Sequence, residues 1–429
     1  MHLYRLVRPY LSHHYHLIKA YYFKCRHQYL LRRLHRKQCI NVVFFAMNLP
    51  MWRYQNLYDK LVSLHSFNVF IVLSPCVSLS EEQQKKDIEG LRAYFNQLGI
   101  SYIDYDIEHS GKGIDIRNVL KADVLFYPQP YENVLCSEYD CRNFYDKLLG
   151  YYPYAFWTVL GNWSYNTFFH NVAWKLYYST ELHRQDAIKY SDNHGKNVSV
   201  VGYPTADDFL HSTFKDVWKR QAKKVKRLIW APHFTISKER SMVVHSNFLW
   251  MSDFMLDIAH LYKDRLQIAF KPHPRLLTEL YLHPDWGKEK ADAYYDKWSN
   301  GYNTQLDEGD FKDLFMTSDA MIHDCGSFTV EYHYSLNPVM YILQDWTKYT
   351  DTLSDFGKEA MKAHYIGKNK EDILRFIDSV VLGEEDDMYS IRKDFYERYL
   401  LPPNGKSVAQ NTVDDLLSSL IRYGFRFEE

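Results

Sequence analysis

Short apolar runs rich in β-branched and aromatic residues alternate along this chain with longer stretches of helical periodicity. Ile40-Asn41-Val42-Val43-Phe44-Phe45-Ala46 predicts a strand and 52–64 a helix; 67–73 predicts a second strand, and 80–98 a charged helix opened by Ser80 and Glu82. Further strands are expected at 102–105 and 123–128. A strand from Asn197 stops at the turn Gly202-Tyr203-Pro204, and the polar, basic stretch 206–226 reads as a helical connector with Asp207 as its N-cap. Beyond it, strands at 227–232, 266–270, 320–323 and 338–342 alternate with helices at 247–262, 311–316 and 327–334. Such alternation implies parallel, doubly wound sheets, so the expected class is α/β with two Rossmann-like domains facing a cleft. The expected division is a helical segment 1–38, a first domain 39–205, a second domain 206–400, and a C-terminal helical segment 401–429 packing back on the first domain.

Composition narrows the class. A chain of 429 residues with 46% hydrophobic content is long enough for two folded cores. Its net charge of −1 offers no general excess for polyanions, and no nucleic-acid recognition motif accompanies its basic residues, so nucleic acid is not an expected partner. The charge is unevenly placed. Residues 1–40 hold Arg5, Arg8, Lys19, Lys24, Arg26, Arg32, Arg33, Arg36 and Lys37, six histidines, and no Asp or Glu. Leucines and tyrosines interleave with them. The segment fits equally a basic amphipathic helix on an anionic membrane surface and a solvated helix packed on the first domain or a partner. The sequence shows no apolar run of spanning length and no signal-peptide core, so a cytoplasmic protein, peripheral on the inner face of the membrane, is expected. Cys25, Cys39, Cys76, Cys136, Cys141 and Cys325 lack paired metal spacing and read as free thiols; neither a metal nor a cofactor is indicated. The aromatic content of 17%, with 37 tyrosines, is spread along the chain and reads mostly as core and rim.

Two loops carry candidate chemistry. In His323-Asp324-Cys325-Gly326-Ser327-Phe328-Thr329-Val330-Glu331 an apolar strand ends in small and hydroxyl residues that open a helix. Unpaired N–H groups there favour a phosphate, which Gly326 lets approach closely and Ser327 meets with a hydroxyl; Phe328 belongs to the same binding turn. Glu331, one turn on, is placed to read the hydroxyls of a ribose. Lys271-Pro272-His273-Pro274 ends another strand, where the flanking prolines fix His273 and Lys271 adds positive potential. His233, after a neighbouring strand, is a further candidate for the same crevice, which in an open α/β sheet lies at the strands' carboxyl ends.

Taken in order, these signposts resemble the CDP-glycerol glycerophosphotransferase family of teichoic acid primases and polymerases. The likeness runs through Gly202-Tyr203-Pro204 with Asp207, Ala231-Pro232-His233-Phe234, Lys271-Pro272-His273-Pro274, Ser318-Asp319, Asp324 to Glu331, Asn337-Pro338-Val339 and Asn404-Gly405-Lys406-Ser407, covering residues 200–420. The resemblance implies a GT-B architecture. It also implies a transferase in which an acceptor hydroxyl attacks the β-phosphorus of a CDP-activated polyol and CMP departs. The implied partners are that donor and a membrane-linked glycan or polyol-phosphate acceptor in cell-surface polymer synthesis.

Within that chemistry His273 and Ser327 are the expected catalytic donors to the diphosphate, with Lys271, His233, Gly326, Phe328 and Glu331 binding substrate. The family's acceptor-side motif carries a histidine, and the corresponding Thr158-Val159-Leu160-Gly161-Asn162 has none; His170 is the nearest histidine and stands as the candidate base. The missing histidine keeps two alternatives open: a GT-B glycosyltransferase using a nucleotide sugar, and a non-catalytic relative that binds nucleotide or polymer.

Overall fold

The computed structural model describes residues 2–105, 113–237, 246–326, 328–343 and 349–427. It divides into two compact units, Met1–Leu210 with Leu401–Glu429, and His211–Leu400. The first holds β1 (Ile40–Ala46), β2 (Phe67–Leu73), β3 (Val124–Tyr127), β4 (Leu148–Tyr151), β5 (Lys175–Tyr178) and β6 (Val198–Val200), ordered β2-β1-β3-β4-β5-β6. The second holds β7 (Lys226–Ala231), β8 (Leu266–Phe270), β9 (Thr304–Leu306), β10 (Ala320–His323), β11 (Val339–Ile342) and β12 (Tyr365–Gly367), ordered β12-β11-β10-β7-β8-β9. Every neighbouring pair is parallel. Helices cover both faces of such sheets, which is why β8 is buried at every position and carries only one polar residue, Gln267. In each unit the chain winds one way from a central strand and then crosses to the other side. The switch points are β1/β3 and β7/β10.

Some elements differ from expectation. The stretch 102–105 makes only a single bridge, Ile103 with Val72. The helix expected over 206–226 is confined to Ala206–His211. Beyond it the backbone is tied elsewhere: Lys215 N–H donates to Asp313 at 3.0 Å, Lys219 N–H to Gln305 at 2.7 Å, and the buried Trp218 indole to Thr317 at 3.1 Å. Crowded like charges among Lys219, Arg220, Lys223 and Lys224 give a helix there no support. Strands β4, β5, β9 and β12 are additional to those expected.

The N-terminal helix, His2–Leu34, packs on the first unit through Phe23, His27, Leu31 and Leu34, all buried. Their spacing marks one helical face. Phe23 lies 6.1 Å from Phe168, ring to ring, while His13 and His16 reach Asp192 at 2.7 and 2.8 Å. Among the described residues no helix is long and apolar enough to cross a membrane. All six cysteines are free.

The Gly202-Tyr203-Pro204 turn has a structural purpose. Gly202 has φ +103°, and a Cβ there would stand 2.9 Å from Val408 Cγ2 and 3.1 Å from Pro402 Cβ, so only glycine admits the C-terminal segment. Asp207 is not the cap of its own helix. Its carboxylate accepts from Val408 N–H at 2.7 Å and Ala409 N–H at 3.0 Å, at the start of the helix Val408–Ile421. That helix is held further along by Asp415, which accepts from Tyr177 Oη at 3.1 Å and Ser199 Oγ at 3.0 Å and pairs with Lys175 at 2.8 Å.

Three imidazoles are enclosed in the second unit. His323 Nε2 and His364 Nε2 are 3.3 Å apart, the His333 and His364 ring centres are 4.6 Å apart, and His364 Nδ1 meets Ala360 O at 2.9 Å. Neither nitrogen of His333 has a hydrogen-bond partner among the described residues. No three His, Cys, Asp or Glu side chains among the described residues converge as metal ligands. Burial lowers the pKa of all three rings, that of His364 to about 4, and the enclosed Arg392 lowers His333 and His364 further. All three are therefore neutral near pH 7.

Two predictions follow from this packing. Asp207→Ala removes a helix cap and leaves two N–H groups buried without an acceptor, a cost of about 2–4 kcal/mol in urea unfolding; Asp207→Asn keeps one acceptor and loses less, and equal stability of wild type and Asp207→Ala contradicts the capping role. The second concerns pH. Unfolded histidines titrate near about pH 6.5, so below it the unfolded chain takes up protons that the folded chain refuses. Each enclosed ring then withdraws up to about 1.4 kcal/mol per pH unit, until the folded pKa is reached. The melting temperature therefore falls between about pH 6.5 and about pH 4, and His333→Phe makes the fall shallower. A melting temperature flat across that window contradicts neutral buried rings.

Candidate active site

The β7/β10 switch point of the second unit gathers three loops. Strand β7 ends in Pro232-His233, β8 in Lys271-Pro272-His273-Pro274, and β10 in Asp324-Cys325-Gly326. Parallel pairing sets His323 beside Ala231 and Trp230 beside Phe270, so all three loops leave the sheet at one level. Asp324 ties them together. Its carboxylate accepts from His233 N–H at 2.6 Å, from Asn247 N–H at 2.5 Å and from the Asn247 side-chain amide at 3.1 Å. Asn247 opens the helix Phe248–Leu261, so one carboxyl group joins a strand end, a helix start and its own loop. Asp324 is fully enclosed, and burial raises its pKa to about 6 in spite of the three donors. Near pH 7 it is the carboxylate those donors require.

His273 is held on both sides. Its N–H donates to Pro232 O at 3.1 Å, and its Nδ1 accepts from Arg275 N–H at 3.1 Å. Burial, with the Arg275 charge second, lowers its pKa to about 4. A neutral ring whose Nδ1 is an acceptor carries its proton on Nε2. His273 is therefore a hydrogen-bond donor through Nε2 and not a resident positive charge. Its ring lies 5.1 Å from that of His233 and 4.4 Å from that of Phe234. His233 Nδ1 is 2.9 Å from Thr235 Oγ1, which orients the second imidazole.

The other nominated residues divide. Lys271 is buried, paired with Asp307 at 2.7 Å and bonded to Gly309 O at 2.6 Å, so two of its three donors are spent inside the fold. The exposed positive charge at this loop is instead Arg275, whose guanidinium covers Phe234 at 4.1 Å and reaches Glu279 at 3.2 Å. Ser327 lies outside the described residues. Gly326 is exposed, has no positive φ, and a Cβ on it would meet no described residue within 4 Å. The helix expected at 327–334 is a single α turn, Phe328–Glu331, continued as a 3₁₀ turn, Tyr332–Ser335. Its first amides are partly used: Phe328 N–H bonds Cys325 O at 3.2 Å and Thr329 N–H bonds Gly326 O at 3.4 Å. The Phe328 ring packs on Phe315 at 4.9 Å and Phe311 at 5.6 Å and anchors the turn, while Glu331 is 4% exposed at its end.

In the first unit His170 is fully enclosed. Its Nδ1 lies 2.8 Å from Thr167 Oγ1 in the cap of the helix Phe168–Val172, and burial lowers its pKa to about 3. A sealed helix cap has no surface to present to an acceptor hydroxyl.

Asn247 and Arg275 were not nominated from the sequence, and Phe234 entered only as part of the motif Ala231-Pro232-His233-Phe234. Arg275 had a signal, lying two residues past His273. Asn247 had none, because nothing in its spacing connects it to Asp324.

Comparison with known proteins places this arrangement. Among solved structures, an enzyme described as a putative UDP-N-acetylglucosamine 2-epimerase from Listeria monocytogenes superposes with TM-score 0.57 at 17% identity, covering 92% of this chain and 99% of that one. The UDP-GlcNAc 2-epimerase from Neisseria meningitidis bound to UDP-GlcNAc superposes at 0.55, with 12% identity over 89% and 99% of the two chains. A variant of the wall teichoic acid polymerase TagF gives 0.55 at 13% identity, covering 97% of each chain. At such identities these likenesses establish the fold, a GT-B-like α/β architecture. No curated protein matches. Residues 166–417 match the family described as CDP-glycerol:poly(glycerophosphate) glycerophosphotransferase, a span that holds Asp207, His233, His273 and Asp324. The chain is thus a glycerophosphotransferase-like enzyme, and it belongs to the CDP-glycerol:poly(glycerophosphate) glycerophosphotransferase family.

Proposed function

We propose that this transferase moves glycerol phosphate, or a similar polyol phosphate, from a CDP-activated donor to a hydroxyl acceptor in cell-surface polymer synthesis, releasing CMP. The observation that carries the reading is the Asp324 junction at the β7/β10 switch point, beside which His233, His273 and the loop at Gly326 offer polar groups to a diphosphate. The second unit, His211–Leu400, takes the donor. The first, Met1–Leu210 with Leu401–Glu429, takes the acceptor, a membrane-linked glycan or polyol phosphate. The basic N-terminal helix holds the enzyme against an anionic membrane surface at the inner face.

In-line attack on the β-phosphorus gathers negative charge on the departing CMP. Positioning and electrostatic stabilisation dominate phosphoryl transfer, and fixed donors in a water-poor site supply both. His273 donates from Nε2. A bound phosphate favours the protonated ring, so its pKa rises from about 4 when the donor arrives and the hydrogen bond gains charge assistance. Ser327 and the loop amides at Gly326 share the same phosphate, Arg275 adds positive potential, and Glu331 reads the ribose. With His170 sealed, activation of the acceptor falls to another group of the first unit, or the attack proceeds without a base, whose usual contribution is about a hundredfold to ten-thousandfold.

Purified protein given CDP-glycerol and a polyol-phosphate acceptor should release CMP. His273→Ala lowers the turnover by about 10²–10³, and His273→Gln, which keeps an N–H donor, recovers part of it. Equal release by His273→Ala removes His273 from the mechanism. In a melting-shift screen CDP-glycerol or CDP-ribitol should outperform UDP-GlcNAc; the reverse order would favour glycosyl transfer.

A further inference from the structure

Along one flank of the N-terminal helix the first unit holds a crevice of about 720 Å³. The helix forms one wall, the segments leading into β5 and β6 the floor, and the end of Val408–Ile421 with the residues after it the other wall. The floor is at the amino ends of the strands, away from the carboxyl ends where a doubly wound sheet binds its substrates. Lys24, Lys175, Lys196 and Arg422 line the crevice and, among the described residues, no carboxylate does. Lys175 is offset by Asp415 at 2.8 Å. Lys24, Lys196 and Arg422 have no ion pair among the described residues.

A second, independent feature borders the same space. His27, a lining residue, is 6% exposed, and its Nε2 has no hydrogen-bond partner among the described residues. A polar atom closed off from bulk water and left unpaired costs stability unless a ligand or water meets it. Size, charge and that atom together describe an anion site within the usual range for small ligands.

The same helix indicates where the anion comes from. Opposite its buried face it exposes Ile18, Tyr21, Tyr22 and Tyr29, the first two 69% and 71% exposed. Tyrosines with an aliphatic neighbour beside basic residues suit the boundary between headgroups and acyl chains. A soluble phosphate accounts for the cations and leaves this stripe unexplained; a lipid accounts for both.

We propose that this crevice seats the phosphate headgroup of an anionic lipid, with Lys24, Lys196 and Arg422 around the phosphate and His27 Nε2 bonding it from the helix wall. The site rests on the membrane-surface reading of the N-terminal helix and adds to it residues from outside that helix. Cosedimentation of the full-length protein with phosphatidylcholine vesicles, with and without phosphatidylglycerol, tests it against the double variant Lys196→Gln with Arg422→Gln. At about a fivefold loss per cation, the double variant should bind the anionic vesicles roughly thirtyfold more weakly, with melting temperature and CDP binding unchanged. Undiminished vesicle binding by the variant overturns the headgroup site while leaving the membrane reading intact. Absence of vesicle binding by the wild type overturns both. Calorimetric titration with inorganic phosphate separates the sources: binding of phosphate that the variant loses, without vesicle binding by either protein, replaces the lipid with a soluble anion and overturns the assignment.

Discussion

A single buried carboxylate organises the candidate active site. Asp324 is charged in a place where charge is costly, and its pKa of about 6 records that cost. Three donors from His233 and Asn247 offset it. The arrangement joins segments that are far apart in sequence. The position of His273 follows from the same junction, since its N–H bonds Pro232 O, one residue before His233. Strand pairing brings the loops to one level, and Asp324 sets them in register with each other.

The parts of the fold legible in the sequence were those where burial writes a mostly apolar run. Strands β1, β2 and β8 fall on the expected residues because parallel strands covered on both faces are mostly apolar, each of these holding one polar residue, Asn41, Asn68 or Gln267. Strands β4, β5, β9 and β12 were not legible: each is three or four residues long, and Gly150, Lys175, Gln305 and Gly367 interrupt their patterns. Helical periodicity in 206–226 misled because the backbone there finds better partners in Asp313 and Gln305, side chains no local pattern can foresee.

The site shows the same division. The loops and His273 were legible because Pro-His-Pro and a strand ending in Asp-Cys-Gly-Ser are local signals. Their electrostatics were not. Lys271 looks like a free cation until Asp307 is placed beside it, and His170 looks like a base until its ring is seen closing a helix. Asp207 belongs to both groups: its value as a cap was readable, but the helix it caps begins about two hundred residues later in the chain. Identity of 12–17% with superposable chains fits this picture, since sheet order depends on where apolar runs fall and chemistry on a few tertiary contacts.

The most direct test is a crystal structure of the protein with CDP. The account predicts the diphosphate at the carboxyl ends of β7, β8 and β10, hydrogen-bonded to His273 Nε2 and to the loop at Gly326, with the Asp324 contacts to His233 and Asn247 intact. A diphosphate bound at the carboxyl ends of β1 and β3 in the first unit, or one that leaves His273 untouched, would contradict it.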